Sequence, residues 1–443
     1  MREQNLNMTQ GNPVRLLVVF SIPMLIGNIF QQLYNLADSM IVGKTLGPNP
    51  FAAIGITGSV TFLFFALCNG LGSGGGIITS QYFGSGDIKA VKSCIANTAY
   101  IMLVFPTIVG IVAFFMTEPL LQLLETNEVL MPDAVAYMRV MCIGLVFVSV
   151  YNFVSSMMRA LGDSKTPLYC LVVSCFINII LDLVFILVFH WGVVGAGVAT
   201  VISQMISGLV CLVIAVLKNP YFKLSKEDLR YNPIMVKKAI RLGVPLSLQF
   251  SLIAISCMAL QRVVNTFGPV AAAAFTATSR IEQLIHQPYQ TLGAALSTYS
   301  GQNYGAMKTN RLIEGYHKSL IMMTIFTAAM MPFMQFFGKA ITALFVDDPE
   351  VIEMGAKALQ ISSWFYIFLG IIYVVRGVLN GVGDAFFALL NGIVEVVGRF
   401  VVPIALTGIS AIGLWGIWWS VGVVWFFSGF TAWLRYLVVK KRF

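Results

Sequence analysis

The sequence predicts an all-α polytopic membrane protein of about twelve transmembrane helices. Three observations lead to this prediction. Of the 443 residues, 58% are hydrophobic and only 11% are charged, whereas soluble domains carry roughly 25% charged residues. The apolar residues form about twelve runs, each near the roughly 20 residues needed to cross a bilayer. Turn-forming clusters such as Gly47-Pro48-Asn49-Pro50 separate the runs. This composition disfavours a soluble enzyme, a disordered chain and a nucleic-acid-binding protein.

The predicted spans follow one another along the whole chain. They cover residues 16–41, 52–79, 95–116, 134–158, 168–189, 193–217, 239–265, 271–298, 317–337, 356–379, 386–408 and 412–438. The polar stretch before the first span lacks the apolar segment of a cleavable signal peptide. We therefore expect the first span to be retained.

The loops between the spans differ in charge. If the N-terminus is cytoplasmic, the inner loops hold mainly Lys and Arg, as in the stretch from Lys218 to Lys238, and the outer loops hold mainly Asp and Glu, as at Asp347 and Asp348. Inner loops of membrane proteins are typically basic. The pattern predicts two cytoplasmic termini, and it accounts for the net charge of +9 without a nucleic-acid partner.

An internal repeat divides the chain into halves. Matching residues recur at an offset of 221–222: Pro23 with Pro245, Gly47-Pro48 with Gly268-Pro269, and Gly162-Asp163 with Gly383-Asp384. Repeats of this kind in transporters place substrate and ion sites near the bilayer midplane. We predict two pseudo-symmetric six-helix bundles around a central cavity. The N-terminal bundle with the cation site would cover residues 1–217, a basic cytoplasmic linker 218–238, and the C-terminal bundle 239–443.

Four carboxylates lie within predicted spans: Asp38, Asp182, Glu282 and Glu395. Ionisable groups at membrane depth are costly and usually functional. Helical spacing puts Gln31, Tyr34 and Asn35 on the face of Asp38, and Asn178 on the face of Asp182. Two neighbouring carboxylates repel each other, so they can take up a proton, and oxygen ligands suit Na⁺. The alternative is that both aspartates only hydrogen-bond to polar neighbours and hold helices together.

The second half lacks this pair, because the repeat partners of the two aspartates are Leu260 and Pro403. We therefore place the cation chemistry in the first half. Glu395 precedes Arg399 by one helical turn, which predicts an internal ion pair. The side chains predicted to contact substrate in the cavity are Gln31, Asn35, Gln283, His286, Gln287 and Tyr366. His286 could alternatively sense pH, and packing is the alternative role for Tyr366.

The glycine run Gly72-Ser73-Gly74-Gly75-Gly76 looks like a phosphate-binding loop. It lacks the Lys of a Walker-type loop and lies within a predicted span. Small residues in membrane helices allow close packing of neighbouring helices. We therefore interpret the run as a packing surface and expect no ATP-driven pump.

Several motifs together resemble the multidrug and toxic compound extrusion (MATE) transporters. They are the stretch from Pro23 to Gly43, which contains Asp38, the motif Arg159-Ala-Leu-Gly-Asp163, and the motif Gly301-Gln-Asn-Tyr-Gly305. Within that family, the chain resembles the prokaryotic DinF-type branch. That resemblance implies a cation site of Asp38, Asn178, Asp182 and Thr200, surrounded by Tyr34, Tyr137 and Asn152. The NorM-type branch places key carboxylates on the seventh and tenth helices, and this chain does not match that pattern.

The predicted function is that of a secondary antiporter. It would export amphipathic or cationic organic compounds in exchange for H⁺ or Na⁺ by alternating access, from the inner membrane. If it couples to sodium, Asp38 and Asp182 would bind the metal ion. We expect no cofactor beyond the coupling ion, no nucleic-acid partner and a monomer in the bilayer. The alternatives are a lipid-linked saccharide flippase of the same superfamily and a membrane-embedded enzyme, for which no clustered catalytic site is visible.

Overall fold

A computed structural model of the protein describes residues 6–124 and 126–442. Within these residues every regular element is helical, which confirms the predicted fold class. The α-helices are α1 (Pro13–Leu46), α2 (Pro48–Ser85), α3 (Ile88–Leu123), α4 (Met131–Ala160), α5 (Lys165–Leu183), α6 (Gly192–Lys218), α7 (Pro233–Asn265), α8 (Pro269–Gly305), α9 (Thr309–Thr342), α10 (Pro349–Ser363), α11 (Tyr366–Gly381), α12 (Ala385–Thr407) and α13 (Gly416–Val439). A π-helical turn, Val184–Val188, continues α5.

The lengths of these helices agree with twelve spans. In the described part of the chain, ten spans are long and apolar enough to cross a membrane individually. Helices α10 and α11 are bent by 53° at a short break and together form one more. Helix α8 has 37 residues, about 55 Å of helix, but it carries Arg280, Glu282 and many other polar side chains. A helix with these polar groups needs protein around it rather than lipid.

The helices form two compact units. Among the described residues, unit 1 comprises residues 6–7 and 19–248, and unit 2 comprises residues 8–18 and 249–442, so α1 and α7 are each divided between them. The predicted linker packs within unit 1, since the Lys92 Nζ donates to the Lys223 carbonyl at 2.8 Å and the Tyr100 hydroxyl to the Leu229 carbonyl at 2.6 Å. The first turns of α7 also pack within unit 1, where Ser247 Oγ donates to the Leu67 carbonyl at 2.6 Å. The division therefore falls inside α7, beyond the boundary expected at residue 239.

The repeated glycines have the same backbone conformation in both halves. Gly47 and Gly268 precede α2 and α8 with φ of 91° and 92°, and Gly162 and Gly383 have φ of 89° and 91°. Side chains rarely tolerate such positive φ values, so glycine is needed at these turns. The matching geometry supports the internal repeat predicted from the sequence.

The glycine run in α2 is a packing surface, as predicted. A side chain at Gly74 would meet the backbone of Gly243 on α7, and one at Gly75 would meet Thr98 on α3. Ser156 on α4 donates to the Gly72 carbonyl at 3.0 Å. Helices α3, α4 and α7 thus approach α2 closely at its glycine positions.

The motif at residues 301–305 holds Met8 in unit 2. The Met8 N–H donates to Gln302 Oε1 at 2.9 Å, and Asn303 Nδ2 donates to the Met8 carbonyl at 3.1 Å. Arg311 donates to Asn303 Oδ1 at 3.2 Å. Because Gln302 and Asn303 are fully buried, these bonds satisfy groups that could not reach water.

Candidate cation site

The second half of α1 packs against α4, α5 and α6 within unit 1. At Gly27, α1 faces α5, since an added Cβ would be in ordinary van der Waals contact, at 3.5 Å, with Leu168 and Leu171. Further along α1, Val42 is buried in a cluster with Tyr137 of α4 and with residues that follow α5 and begin α6. This packing turns the face that carries Tyr34 and Asp38 toward the interior of unit 1.

The carboxyl groups of Asp38 and Asp182 lie within hydrogen-bonding range of each other. Asp182 is fully buried. Both of its carboxylate oxygens, and Oδ1 of Asp38, have no hydrogen-bond partner. Two ionised carboxylates only accept hydrogen bonds and repel each other. The pair therefore needs a shared proton or a bound cation to be stable at this depth.

Neutral oxygen and nitrogen atoms surround the pair. Asn178 lies one turn before Asp182 on α5, and its Nδ2 donates to Thr200 Oγ1 on α6 at 3.5 Å, while its Oδ1 has no partner. The Tyr34 hydroxyl lies near Thr200. Tyr137 is buried and interacts electrostatically with both aspartates. The structure thus brings together six of the seven residues that the resemblance implies.

Asn152 is the exception. It lies 15 residues after Tyr137 on the uninterrupted helix α4, which corresponds to about 22 Å along the helix axis. Its backbone carbonyl lies near Gly72 of α2. Since Tyr137 reaches the aspartates, Asn152 lies too far along α4 to contact them as well.

A π-helical turn begins two residues after Asp182 and was not predicted. Its wide turn is closed by the Phe189 N–H, which donates to the Val184 carbonyl at 3.0 Å. The ring of Phe185 then stacks on Trp191 at 4.9 Å. Such turns occur mostly as single distortions within helices, frequently at functional sites. The sequence of this turn is a uniform apolar run, so nothing in its pattern distinguishes it from an ordinary α-helix.

No basic side chain neutralises the aspartate pair in the described part of the chain. The salt bridges found there do not include Asp38 or Asp182, and residues 6–124 and 126–442 contain no group of three His, Cys, Asp or Glu that could hold a metal ion. The available ligands are two carboxylates with amide and hydroxyl oxygens. This donor set suits a proton or a hard monovalent cation rather than a transition metal.

Unit 2 holds a different charged network around Glu395. The predicted ion pair with Arg399 is present at 3.8 Å, one turn along α12. The nearer partner is Arg376 of α11, whose Nη2 lies 2.5 Å from Glu395 Oε1 and whose Nε donates to Asn391 at 2.7 Å. Ser428 of α13 also donates to Glu395 at 3.0 Å. Arg376 lies within a predicted span but was not predicted as a partner of Glu395, because the two residues come from different helices.

Comparison with known proteins identifies the family. The family model MatE matches residues 23–184 and 245–404 of the chain. The chain belongs to the MATE family. The two matches begin at Pro23 and Pro245, which is the pair that opens the predicted repeat.

Relatives and solved structures agree with this membership. The chain is 31% identical to "Probable multidrug resistance protein YpnP" of Bacillus subtilis, over 97% of this chain and 96% of that protein. It is 23% identical to "Multidrug export protein MepA" of Staphylococcus aureus (strain MSSA476), over 100% and 98%. A structure described as the outward-facing conformation of a multidrug resistance MATE family transporter of the MOP superfamily has a TM-score of 0.91 at 23% identity, over 100% of this chain and 98% of that one. The family identifies a membrane transporter, not an enzyme.

The residues predicted to contact substrate in this MATE protein differ in exposure. Gln31, Asn35 and Gln283 are exposed, and His286 is half-buried, with its ring 5.4 Å from that of Trp425. Gln287 is buried, and Tyr366 is fully buried. In this structure Tyr366 therefore packs in the interior of unit 2, which is the packing role weighed for it from the sequence.

Proposed function

We propose that this MATE-family protein is a secondary antiporter that exports amphipathic, often cationic, organic compounds in exchange for inward H⁺ or Na⁺ by alternating access. The observation that carries the proposal is the buried, unpartnered carboxylate pair of Asp38 and Asp182. The relatives named as multidrug resistance and export proteins support the class of substrate.

Asp38 and Asp182 would hold the coupling ion. A proton would bridge the two carboxyl groups, which lie within hydrogen-bonding range. A sodium ion would use the same two carboxylates as metal ligands, with the Asn178 amide oxygen and the Thr200 hydroxyl as further oxygen ligands. Tyr34 and Tyr137 would close the site from α1 and α4. Asn152 lies outside this proposed shell.

Pro23 would couple ion binding to the shape of α1. Proline cannot donate the backbone hydrogen bond to the residue four positions earlier, Val19, and this weakens a helix locally. The division of α1 between the two units falls between Val18 and Val19. Ion binding at Asp38, four turns further along, would then favour one of two shapes of the weakened helix.

We also propose the branch of the family, the residues that contact substrate, and the location and working form of the protein. The acidic pair in the first half favours the DinF-type branch, and α7 contains no Asp or Glu. The exposed Gln31 and Asn35, on the helix that carries Asp38, and Gln283 on α8 would contact substrate. We propose an inner-membrane location with both termini cytoplasmic and a monomer as the working form.

A lipid-linked saccharide flippase is not favoured. Such a protein needs free basic side chains to hold a pyrophosphate group. The buried bases Arg376 and Arg399 instead share the carboxylate of Glu395. Their charge is therefore already partly neutralised within unit 2.

The test is ethidium flux in proteoliposomes under an imposed pH gradient or an imposed Na⁺ gradient, applied separately. We expect flux with at least one gradient, which would also name the ion. Asp38→Asn and Asp182→Asn should each reduce it by about tenfold or more, the equivalent of about 1.4 kcal/mol. The exposed Asp347→Asn should leave it unchanged and serves as the matched control. Full flux in both site variants would overturn the assignment, and no wild-type flux with either gradient would overturn the antiport itself.

A further inference from the structure

A second group of unpartnered polar atoms lies in unit 2. Among the described residues that have buried side-chain atoms without a hydrogen bond are Glu282 (Oε1) and His286 (Nε2) on α8, Ser362 (Oγ) on α10 and Tyr366 (Oη) on α11. Ser362 and Tyr366 are completely buried. Buried polar groups nearly always have a partner in native proteins. Four unpartnered groups on three helices therefore require an explanation.

The four groups lie close together. Glu282 and His286 are one turn apart on α8, so their side chains are neighbours. The Ser362 side chain lies near the Glu282 carboxyl without a hydrogen bond from its hydroxyl, and Tyr366 interacts electrostatically with the same carboxyl. Trp425 of α13 borders the group, with ring centroids 5.4 Å from His286 and 6.1 Å from Tyr366.

Arg399 is the charged group that faces this cluster from α12. It interacts electrostatically with both Glu282 and His286. The contact of Arg399 with Glu395 is 3.8 Å long. The contact of Arg376 with the same carboxylate is shorter, at 2.5 Å. Glu395 also interacts with His286 from α12. An ionised Glu282 is therefore a second negative charge that attracts Arg399, at longer range than the salt bridge with Glu395.

Arg399 also connects the cluster to α7. Its Nη1 donates to Ser256 Oγ at 3.1 Å and to Cys257 Sγ at 2.8 Å. A change in the charge of Glu282 alters the electrostatic balance on Arg399, which is held between α12 and α7. The neighbouring Arg280 is exposed and lines a separate groove with Ala272 and Phe345, so it takes no part.

We propose that Glu282, His286, Ser362 and Tyr366 form a second proton-binding site, distinct from the aspartate pair in unit 1. In the ionised state, the Glu282 carboxylate would accept hydrogen bonds from the Ser362 and Tyr366 hydroxyls and would attract Arg399. On protonation, the carboxyl O–H would donate to His286 Nε2 and the attraction of Arg399 would be lost. Each state gives partners to atoms that otherwise have none. Proton loading here deepens the proposed antiport, because it adds a second titrating group to the transport cycle.

A proton fits this site better than a metal ion. The guanidinium of Arg399 interacts with the carboxyl that would be the main ligand, and a second cation beside it would be repelled. The oxygen donors are one carboxyl and two hydroxyls, which are fewer than the oxygen ligands that hard cations take. The aspartate pair differs in both respects, since no basic side chain faces it in the described residues.

The experiment is a pH titration of tryptophan fluorescence in the purified full-length protein, without any substrate. Subtracting the titration of a Trp425→Phe variant from that of the wild type isolates the signal of Trp425. We expect a Trp425-dependent transition that is lost in Glu282→Gln, retained in Glu282→Asp and unchanged in Asp38→Asn. Glu350→Gln, the same substitution at an exposed glutamate of unit 2, is the matched control and should behave as wild type.

Other outcomes would overturn the proposal. A transition that persists in Glu282→Gln but disappears in His286→Phe would assign the titration to the imidazole alone. A transition that depends on Na⁺ at constant pH would make this a sodium site. If Glu282→Gln fails to fold, Ser362→Ala replaces it, and an unaltered transition in that variant would refute the site. Because no transport is measured, a failure here is distinct from a failure of the proposed antiport.

Discussion

The buried ion network of unit 2 gives the sharpest stability prediction. Replacing Arg376 with Met removes the nearer counterion of Glu395 while keeping most of the side-chain volume. The side chains of Arg376 and Glu395 are only 9% and 5% exposed, so solvent provides little screening. The substitution leaves Glu395 with Ser428 and with Arg399, whose nearest contact is 3.8 Å.

The distances set the expected size of the effect. With an effective dielectric constant of about 20, the attraction is about 7 kcal/mol at 2.5 Å and about 4 kcal/mol at 3.8 Å. Losing one partner of a buried ion pair costs about 3–5 kcal/mol. Because Arg399 remains, we expect Arg376→Met to destabilise by about 3 kcal/mol. Glu395→Met leaves two guanidinium groups without their shared carboxylate, so it should destabilise by about 5 kcal/mol. The double variant should be more stable than Glu395→Met alone.

The assay is equilibrium unfolding of the purified protein by SDS in mixed micelles, read by circular dichroism for all four members of the double-mutant cycle. We expect a coupling energy of about 1.5 kcal/mol or more between the two positions, within the range for residues in contact. A coupling energy below about 0.5 kcal/mol, the usual limit for independent sites, would refute the reasoning. So would Arg376→Met being more damaging than Glu395→Met.

Two further predictions concern packing and the linker. Gly74→Ala should destabilise unit 1 by about 1–3 kcal/mol, because the added methyl group meets the Gly243 backbone; Gly55→Ala on the same helix, where nothing lies within 4 Å, should be neutral or stabilising in thermal unfolding. In the linker, the N–H and hydroxyl of Ser225 donate to Asp228, which lowers the pKa of that carboxyl. The ionised Asp228 carboxylate therefore contributes fully to linker structure at pH values above its unfolded-state pKa of about 3.9. This contribution is lost as the pH falls through its lower folded-state pKa. Asp228→Asn should speed tryptic cleavage of the linker at neutral pH, and an unchanged rate would contradict this.

The sequence was sufficient to predict the helices and the repeat. It also predicted which polar residues share a helix face with Asp38 and which share one with Asp182. Helical spacing places Tyr34 with Asp38, and Asn178 with Asp182, without any tertiary information. What spacing cannot supply is the distance between two helices. The prediction that α1 and α5 meet at these residues came from the family resemblance, and the structure places their carboxyl groups within hydrogen-bonding range.

The parts that the sequence could not predict depend on contacts between distant segments. Glu395 was paired with Arg399, because a one-turn spacing on the same helix is visible in the sequence. Its nearer partner, Arg376, comes from another helix and is invisible to periodicity. The burial of Met8 against Gln302 and Asn303 joins residues almost 300 positions apart. The division inside α7 also reflects such contacts, since Ser247 donates to the Leu67 carbonyl of α2, 180 positions earlier.

The two halves of the repeat share a fold but differ in their fixed charges, and this difference indicates where a mobile ion can act. Glu395 has two arginines within 4 Å, so its charge is neutralised whether or not a cation is present. Asp38 and Asp182 have each other and no base among the described salt bridges. A carboxylate pair without a fixed counterion must take its compensating charge from solution. A proton or cation that enters unit 1 therefore changes the electrostatic energy of its site far more than one near Glu395 would. For this reason we expect the coupling ion to be bound where the protein supplies the fewest positive charges.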